Sequence, residues 1–266
     1  MDYSVHSEDE METRLHRKTA LVTGATSNIG RAIAIAFARE GAHVVLSGRN
    51  EARAAEALRV IHQAGGRADF VQSTLDGSPE TSRRLAEEAT RLLGGRLDIL
   101  VNSAGIYPGP TTNATDEATF DQVYAVNVKA PFFLTAAVAP LMAARGQGAI
   151  INLGSWIARL GIPVGALYSS TKGAIETLTR AWAAEFGPAG VRVNAISPGV
   201  VHEPVSTEGL GDLMMRGTPA NASGSPEAIA LAAVYLASDE AAFVHGTVLD
   251  VDGGRTGVAV IAGGGR

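Results

Sequence analysis

The chain has 266 residues, of which 46% are hydrophobic and 18% charged, with a net charge of -5 at pH 7. This composition is typical of a folded globular protein and excludes an intrinsically disordered chain. The acidic balance, without a Lys/Arg cluster among aromatic residues, disfavours a nucleic-acid or anionic-membrane partner, and a chain without cysteine forms neither disulfides nor thiolate metal sites.

Residues 1–16, MDYSVHSEDEMETRLH, are acidic and contain neither the basic nor the apolar region of a signal peptide. We expect them to form a flexible arm, and residues 17–266 to form one domain, since α/β sheets of this size often do not divide. No apolar run approaches the roughly 20 residues that span a bilayer, because Pro131 and Pro140 interrupt the most apolar helix. A soluble, cytoplasmic protein is therefore expected.

From residue 19 onward, short β-branched runs alternate with longer segments of helical period. The first half reads TALVT, IGRAIAIAFAREG, HVVLS, EARAAEALRVIHQAGG, ADFVQS and a helix from about Pro79 to Leu93. The second half reads LDILVNSAG, a long helix at about 116–145, GAIINLGS, a helix at about 166–186, VRVNAIS, a helix at about 226–238, and TVLDVDGG. The strand runs are apolar throughout, which predicts a doubly wound (Rossmann) α/β fold whose seven-stranded parallel sheet has helices on both faces.

In this fold class, ligands bind beyond the carboxyl ends of the strands, where the strand order reverses. Those ends read TGATSNIG, SGRN, NSAG, LGS and SPG, so small and polar residues are gathered there. The longest irregular stretch, residues 199–225, is too long for an ordinary connection and predicts a substrate lid at about 200–225. The alternative is a surface Ω-loop.

The stretch VTGATSNIG, residues 22–30, has the features of a phosphate-binding turn between the first strand and the first helix. Gly24 and Gly30 let backbone amides approach a pyrophosphate, and the helix offers its positive N-terminal end. Asn28 stands where a second glycine would fit easily, and asparagine is the non-glycine residue that best adopts left-handed backbone geometry. We therefore expect this loop to bind a nucleotide; the alternative is a chain that has kept the fold and lost the ligand.

This loop resembles the T-G-x-x-x-G-x-G turn of the short-chain dehydrogenase/reductase (SDR) family, with Gly24 followed after three residues by Asn28, Ile29 and Gly30. The resemblance covers about residues 17–257 and continues in order through LVNSAG, VNV at 126–128, GS at 154–155, YSSTK and SPG at 197–199. It implies an NAD(P)-dependent oxidoreductase that interconverts a ketone and a secondary alcohol, similar to 3-oxoacyl carrier-protein reductases and to sugar or polyol dehydrogenases. The alternative is a cofactor-binding sensor or scaffold of the same fold with little turnover.

Tyr168 and Lys172 are spaced i and i+4, so a helix places them on one face. An ammonium beside a phenol favours the phenolate and lowers the pKa of the phenol, which suits the pair to acid/base chemistry. Ser155 ends the preceding strand, where it could hydrogen-bond the reacting oxygen. The family resemblance implies that these three residues and Asn127, which holds a water linked to the lysine, form the catalytic tetrad, and that Lys172 also bonds the nicotinamide ribose.

The end of the second strand predicts which nicotinamide cofactor is preferred. An acidic residue there accepts hydrogen bonds from a ribose 2′-hydroxyl, whereas an arginine pairs with a 2′-phosphate. Gly48 stands at the acidic position and Arg49 follows it, which favours NADP(H) over NAD(H). Arg49 is alternatively a solvated cation at a helix start with Asn50 as N-cap, and both interpretations can hold together.

Thr74 stands where relatives carry an aspartate that bonds the adenine amine.

The residues predicted to contact the cofactor are Gly24, Thr26, Ser27, Asn28, Ile29, Gly30, Arg49, Thr74, Leu75, Asn102, Ala104, Gly105, Tyr168, Lys172, Pro198, Gly199 and Val201.

Residues beside these motifs are expected to shape the substrate pocket. Tyr107 and Trp156 are the first candidates, with plain packing as the alternative, and the methionines at 214–215 fit a lid that touches apolar substrate. His202 is interpreted as a loop residue at the pocket rather than a second acid/base. Glu203 stands where relatives usually carry a threonine that contacts the cofactor, so its charge is expected to weaken binding unless a displaced lid leaves it solvated.

The family resemblance also implies a homo-oligomer, a tetramer or a dimer, built from the long helices at 116–145 and 166–188 and from the last helix and strand. A small-molecule carbonyl or alcohol substrate is the other expected partner. No metal, nucleic acid or membrane is expected.

Overall fold

Seven parallel strands form the central sheet of the computed structural model, which describes residues 13–109, 111–163, 165–202 and 210–259. The strands are β1 (Thr19–Thr23), β2 (His43–Gly48), β3 (Arg67–Gln72), β4 (Ile99–Asn102), β5 (Gly148–Leu153), β6 (Val191–Pro198) and β7 (Val248–Val251). Their order is β3-β2-β1-β4-β5-β6-β7, so it reverses between β1 and β4. The predicted doubly wound, seven-stranded parallel sheet is therefore confirmed.

The described residues contain eight α-helices, six of which cover the two faces of this sheet. They are α1 (Asn28–Arg39), α2 (Glu51–Gln63), α3 (Pro79–Leu92), α4 (Glu117–Tyr124), α5 (Ala130–Ala144), α6 (Ala166–Phe186), α7 (Leu210–Met215) and α8 (Pro226–Ala237). Helices α1, α2 and α8 pack on one face, and α3, α5 and α6 on the other. Ala20 and Val22 of β1 belong to the first apolar cluster and Leu21 to the second, because successive strand side chains point to opposite faces. This explains why the strands are apolar throughout.

Side-chain caps begin three of the helices near the carboxyl edge of the sheet. Each cap accepts a hydrogen bond from a first-turn amide that lacks a partner inside its own helix. The capping residues are Asn50 before α2, Ser78 before α3 and Asp116 before α4. The alternative interpretation of Asn50 as an N-cap is therefore confirmed, and it leaves Arg49 directly outside the helix.

The prediction of a single long helix at 116–145 is wrong in one respect, because a π-helical turn at Ala125–Lys129 divides this segment into α4 and α5. Pro131 lies in the first turn of α5, next to the place where the regular hydrogen-bond ladder is already interrupted, and Pro140 lies inside α5 without ending it. By length and composition alone, Glu117–Ala144 is apolar enough to cross a membrane, contrary to the sequence expectation. Leu134, Val138 and Met142 of α5 are buried against the sheet, so these contacts account for its apolar character.

The domain begins earlier than the predicted boundary at residue 17. Leu15 is fully buried in the first apolar cluster, and the Arg14 guanidinium bonds both carboxylate oxygens of Glu240, at 2.8 and 2.6 Å. An apolar side chain removed from water stabilises its segment by about 1.5 to 3 kcal/mol, which holds residues 13–16 against the domain. The remainder of the predicted arm, residues 1–12, lies outside the described residues.

Candidate active site

The carboxyl ends of the strands open into a cleft of about 950 Å³ at the point where the strand order reverses. The described residues that line it include nearly all of those predicted for the cofactor: Gly24, Thr26, Ser27, Asn28, Ile29, Gly30, Arg49, Thr74, Leu75, Ala104, Gly105, Tyr168, Lys172, Pro198, Gly199 and Val201. Ser155 lines it as well. Asn102 and Asn127 do not, because both side chains are buried behind it.

The loop after β1 has the shape of a phosphate cradle. Asn28 has a φ of 46°, so asparagine does adopt the left-handed geometry that the sequence indicated. A Cβ at Gly30 would lie 2.4 Å from the carbonyl oxygen of Gly24, so only glycine allows this close turn. Among the described residues, the first turn of α1 has no acidic side chain and no capping bond from Ser27, which leaves its amides available to an anion.

At the neighbouring end of β2, the Thr26 side chain packs over Gly48. A Cβ at position 48 would lie 2.6 Å from Thr26 Cγ2, so an acidic residue there would have to displace the Thr26 side chain. Arg49 lines the same part of the cleft, and its carbonyl oxygen accepts a hydrogen bond from Gln72 Nε2 at 3.2 Å. This end of the cleft therefore offers a cation and no acceptor at position 48.

Helix α6 carries Tyr168 and Lys172 to the other end of the cleft. Lys172 Nζ lies 5.5 Å from the centre of the Tyr168 ring and donates to the carbonyl oxygen of Leu153 at 2.7 Å. Ser155 follows β5 and caps the 3-10 turn Trp156–Ala158. The three side chains predicted to act together are thus brought to one place.

The expected effect of lysine on the tyrosine pKa is not what this site produces. Burial raises the pKa of Tyr168 to about 12, while hydrogen bonding by Ser155 opposes that rise. Burial also lowers the pKa of Lys172 to about 8. Desolvation therefore dominates the pKa of both groups, and the neutral phenol is favoured.

Asn127 acts as a clamp between chain segments. It is buried in the π-helical turn, where its side chain accepts from the Ile106 amide at 2.9 Å and donates to the Ile106 carbonyl at 3.0 Å. It also donates to Thr171 Oγ1, at 3.2 Å. Since Thr171 precedes Lys172, Asn127 ties the NSAGI loop to the helix that carries the lysine, and its predicted water stays a prediction.

The Asn102 side chain is buried behind the cleft, and its predicted contact with the cofactor stays a prediction. Its Nδ2 donates to Asn152 Oδ1 at 2.9 Å, and the Asn152 amide donates in turn to Thr179 Oγ1 at 2.9 Å. Asn102 and Asn152 are paired neighbours on β4 and β5, so their side chains meet inside the protein. In the described part of the chain, Asn102 therefore joins two strands to α6 from below the cleft.

Tyr107 and Trp156, which were both expected to shape the substrate pocket, differ in whether they line the cleft. Tyr107 is half-exposed in the cleft, with its ring centre 4.8 Å from that of Tyr168. Trp156 is buried beneath the Arg255 guanidinium and does not line the cleft, which agrees with the packing alternative. Met215 is buried, and His202 lies 3.3 Å from Asp212 Oδ1.

Glu203 lies outside the described residues, as do the other residues at 203–209 of the predicted lid, so its effect on cofactor binding stays a prediction.

Thr23 is a residue of the site that the sequence interpretation missed. Its buried hydroxyl accepts hydrogen bonds from the amides of Ser103 and Ala104, both at 3.1 Å, and donates to Val101 at 3.2 Å. It therefore fixes the loop after β4 against the loop after β1. Its position directly before Gly24 in the T-G motif was the available signal.

A family model described as enoyl-(acyl carrier protein) reductase matches residues 24–256. A solved structure described as a short chain dehydrogenase/reductase family protein is 45% identical, covers 92% of this chain and 100% of its own, and superposes with a TM-score of 0.83. The chain belongs to the short-chain dehydrogenase/reductase family.

Two further SDR relatives are named for alcohol or ketone chemistry. Galactitol 2-dehydrogenase (L-tagatose-forming) of Cereibacter sphaeroides is 40% identical over 250 residues, which are 91% of this chain and 96% of the relative. Gluconate 5-dehydrogenase of Burkholderia cenocepacia J2315, solved with NADP and tartrate, is 33% identical, with a TM-score of 0.85 and coverage of 93% and 98%. This SDR protein is thus an NAD(P)-dependent oxidoreductase that acts on alcohols or ketones.

Proposed function

We propose that this SDR protein is an NADP(H)-dependent oxidoreductase that reduces a ketone to a secondary alcohol, with Tyr168 as the acid/base. The convergence of Ser155, Tyr168 and Lys172 at one end of a nucleotide-sized cleft carries this proposal. Burial raises the pKa of Tyr168 to about 12, so the phenol carries at neutral pH the proton that reduction of a ketone consumes.

The reaction requires proton transfer and orientation from the protein. The bound nicotinamide would supply the hydride chemistry. Tyr168 donates its phenolic proton to the carbonyl oxygen during reduction and removes a proton from the alcohol during oxidation. Ser155 donates a hydrogen bond to the same oxygen, Lys172 provides positive charge beside the phenol, and Asn127 holds the loop and helix in register.

Two observations support NADP(H) as the preferred cofactor. Arg49 lines the cleft beside the end of β2, where a 2′-phosphate would find a charged hydrogen-bond donor. The Thr26 side chain packs over Gly48, so position 48 offers no carboxylate to accept hydrogen bonds from the ribose 2′-hydroxyl of NAD(H). The residues present therefore fit NADP(H) better than NAD(H).

We also infer a cytoplasmic homo-oligomer. Large apolar side chains are exposed on helices that the sequence analysis assigned to subunit contacts: Phe120 and Phe132 on α4 and α5, and Leu231 on α8. A partner subunit that covers such side chains would remove their apolar surface from water.

The decisive experiment follows NADPH oxidation with a panel of cyclic ketones, keto sugars, keto acids and 3-oxoacyl thioesters. Turnover with at least one ketone, faster with NADPH than with NADH, supports the proposal. Tight NADPH binding with no turnover on any member would instead favour the sensor or scaffold interpretation. Faster turnover with NADH would overturn the cofactor assignment alone.

A further inference from the structure

Arg159 ends the 3-10 turn that begins at Ser155, and its guanidinium reaches two strand ends. Nη1 donates to Asp250 Oδ2 at 2.8 Å, and Nη2 donates to Ser197 Oγ at 3.0 Å and to the second oxygen of Asp250. Ser197 and Asp250 are paired neighbours on β6 and β7. One side chain therefore bridges two strands and the turn that carries Ser155.

The same guanidinium faces a buried carboxylate on α6. Arg159 Nε lies 3.9 Å from Glu176 Oε1, and Glu176 follows Lys172 by one helical turn. Glu176 is buried, and its Oε1 accepts no hydrogen bond within the described residues. A Cβ at Gly154 would lie 3.3 Å from that oxygen, so the carboxylate lies directly against the residue before Ser155.

We propose that Arg159 is a positioning residue, which fixes the Ser155 turn relative to the Pro198–Gly199 loop and to the α6 segment that carries Tyr168 and Lys172. Its backbone belongs to the turn, since the Arg159 amide bonds the Trp156 carbonyl at 3.2 Å. Its side chain contacts the three elements around that turn, which are β6, β7 and α6. This inference rests on the role of Ser155 in the proposed function.

The ion pair is expected to contribute little to overall stability, so its removal can be measured in the rate without unfolding the protein. The side chains of Arg159 and Asp250 are 37% and 35% exposed, and pairs of such exposure are weak. Arg14 offers a matched control, since its guanidinium also holds both oxygens of a carboxylate and its side chain is 32% exposed, far from the cleft. A displacement of about 1 Å at a reacting group, in contrast, costs roughly 100-fold in rate.

The test compares Arg159→Gln with Arg14→Gln. Arg159→Gln is expected to lower kcat for ketone reduction roughly 10- to 100-fold, while the Kd for NADPH and the melting temperature match those of Arg14→Gln. Arg159→Lys and Asp250→Asn are expected to lose less, because each retains part of the bridge. Equal kcat for Arg159→Gln and Arg14→Gln overturns the proposal, as does a loss in kcat that follows the loss of folded protein.

A second measurement does not depend on turnover. The chain has two tryptophans, so in a Trp182→Phe background the emission reports only Trp156, the residue after Ser155. Arg159→Gln is expected to shift that emission, and Arg14→Gln to leave it unchanged. If the parent reduces no ketone, the proposed function fails, and this emission still decides whether Arg159 holds the turn; an unchanged emission overturns the inference.

Discussion

The ammonium of Lys172 lies 5.5 Å from the centre of the Tyr168 ring, and its hydrogen bond goes to the carbonyl oxygen of Leu153. Both groups are buried, which raises the pKa of Tyr168 to about 12 and lowers that of Lys172 to about 8. The phenol therefore stays protonated near neutral pH, whereas the lysine titrates about one pH unit above neutrality.

Because Lys172 is buried, we predict that it lowers the free energy of unfolding by an amount that depends on pH. The folded pKa of Lys172 lies below the 10.5 of an ordinary lysine, so the unfolded chain binds more protons between about pH 8 and 10.5, and the free energy of unfolding rises with pH across that window. Below pH 8 the full cost applies, on the order of 3 kcal/mol. Lys172→Met is expected to raise the free energy of unfolding at pH 7 and to lose that advantage near pH 10.5.

Urea unfolding of the cofactor-free protein at several pH values measures this difference. Lys129→Met serves as the control, because Lys129 is an exposed lysine at the same cleft. An advantage of Lys172→Met that is the same at pH 7 and pH 10.5 would show that the lysine is not desolvated in the folded state.

Arg49 is expected to discriminate between the two nicotinamide cofactors. Arg49→Ala should cost roughly 1.5 to 3 kcal/mol of NADPH affinity, the size of a hydrogen bond to a charged group, and should leave NADH affinity nearly unchanged. Arg53→Ala is the control, since Arg53 is exposed on α2 outside the cleft. Titration that finds both cofactors weakened equally by Arg49→Ala contradicts the assignment.

Gly48 and Thr26 together predict how the preference could be changed. Gly48→Asp alone is expected to weaken both cofactors, because its Cβ would lie 2.6 Å from Thr26 Cγ2. Gly48→Asp combined with Thr26→Gly removes that contact and is expected to strengthen NADH binding relative to Gly48→Asp. Dissociation constants from fluorescence titration measure both effects, and a double variant that binds NADH no better than the single variant would refute the steric argument.

Asn28 is expected to tolerate glycine better than alanine. Its φ of 46° lies in the left-handed region, where a residue with Cβ loses roughly 1 to 2 kcal/mol that glycine does not. Asn28→Ala should therefore lower the free energy of unfolding and weaken NADPH binding, whereas Asn28→Gly should bind NADPH as the parent does. Equal binding by both variants would contradict the backbone argument, and an equal loss relative to the parent would indicate that the side-chain amide is the feature that matters.

Local patterns were sufficient to predict the sheet and most helix bounds. Helix α6 begins and ends where its apolar period and flanking glycines indicate, and the seven apolar runs all form strands. The left-handed Asn28 also followed from residue type alone. These features depend on backbone preferences and short-range periodicity, which the sequence displays directly.

The features that were missed depend on contacts between distant segments. The π-helical turn turns Asn127 toward Ile106 and Thr171, which lie 21 and 44 residues away. Leu15 was assigned to a flexible arm because its burial depends on the first apolar cluster, most of whose members lie far along the chain. The pKa of Lys172 likewise depends on desolvation by several elements, which a spacing of i and i+4 cannot reveal.

The most direct measurement of the central claim compares ketone reduction by the parent, Tyr168→Phe and Tyr107→Phe. Tyr107→Phe keeps the ring that contacts Tyr168 and removes only a hydroxyl outside the proposed tetrad. Tyr168→Phe is predicted to lose roughly 10²- to 10⁴-fold in kcat with a Kd for NADPH within a few-fold of the parent, while Tyr107→Phe stays active. A Tyr168→Phe variant that turns over within a few-fold of the parent would contradict Tyr168 as the acid/base.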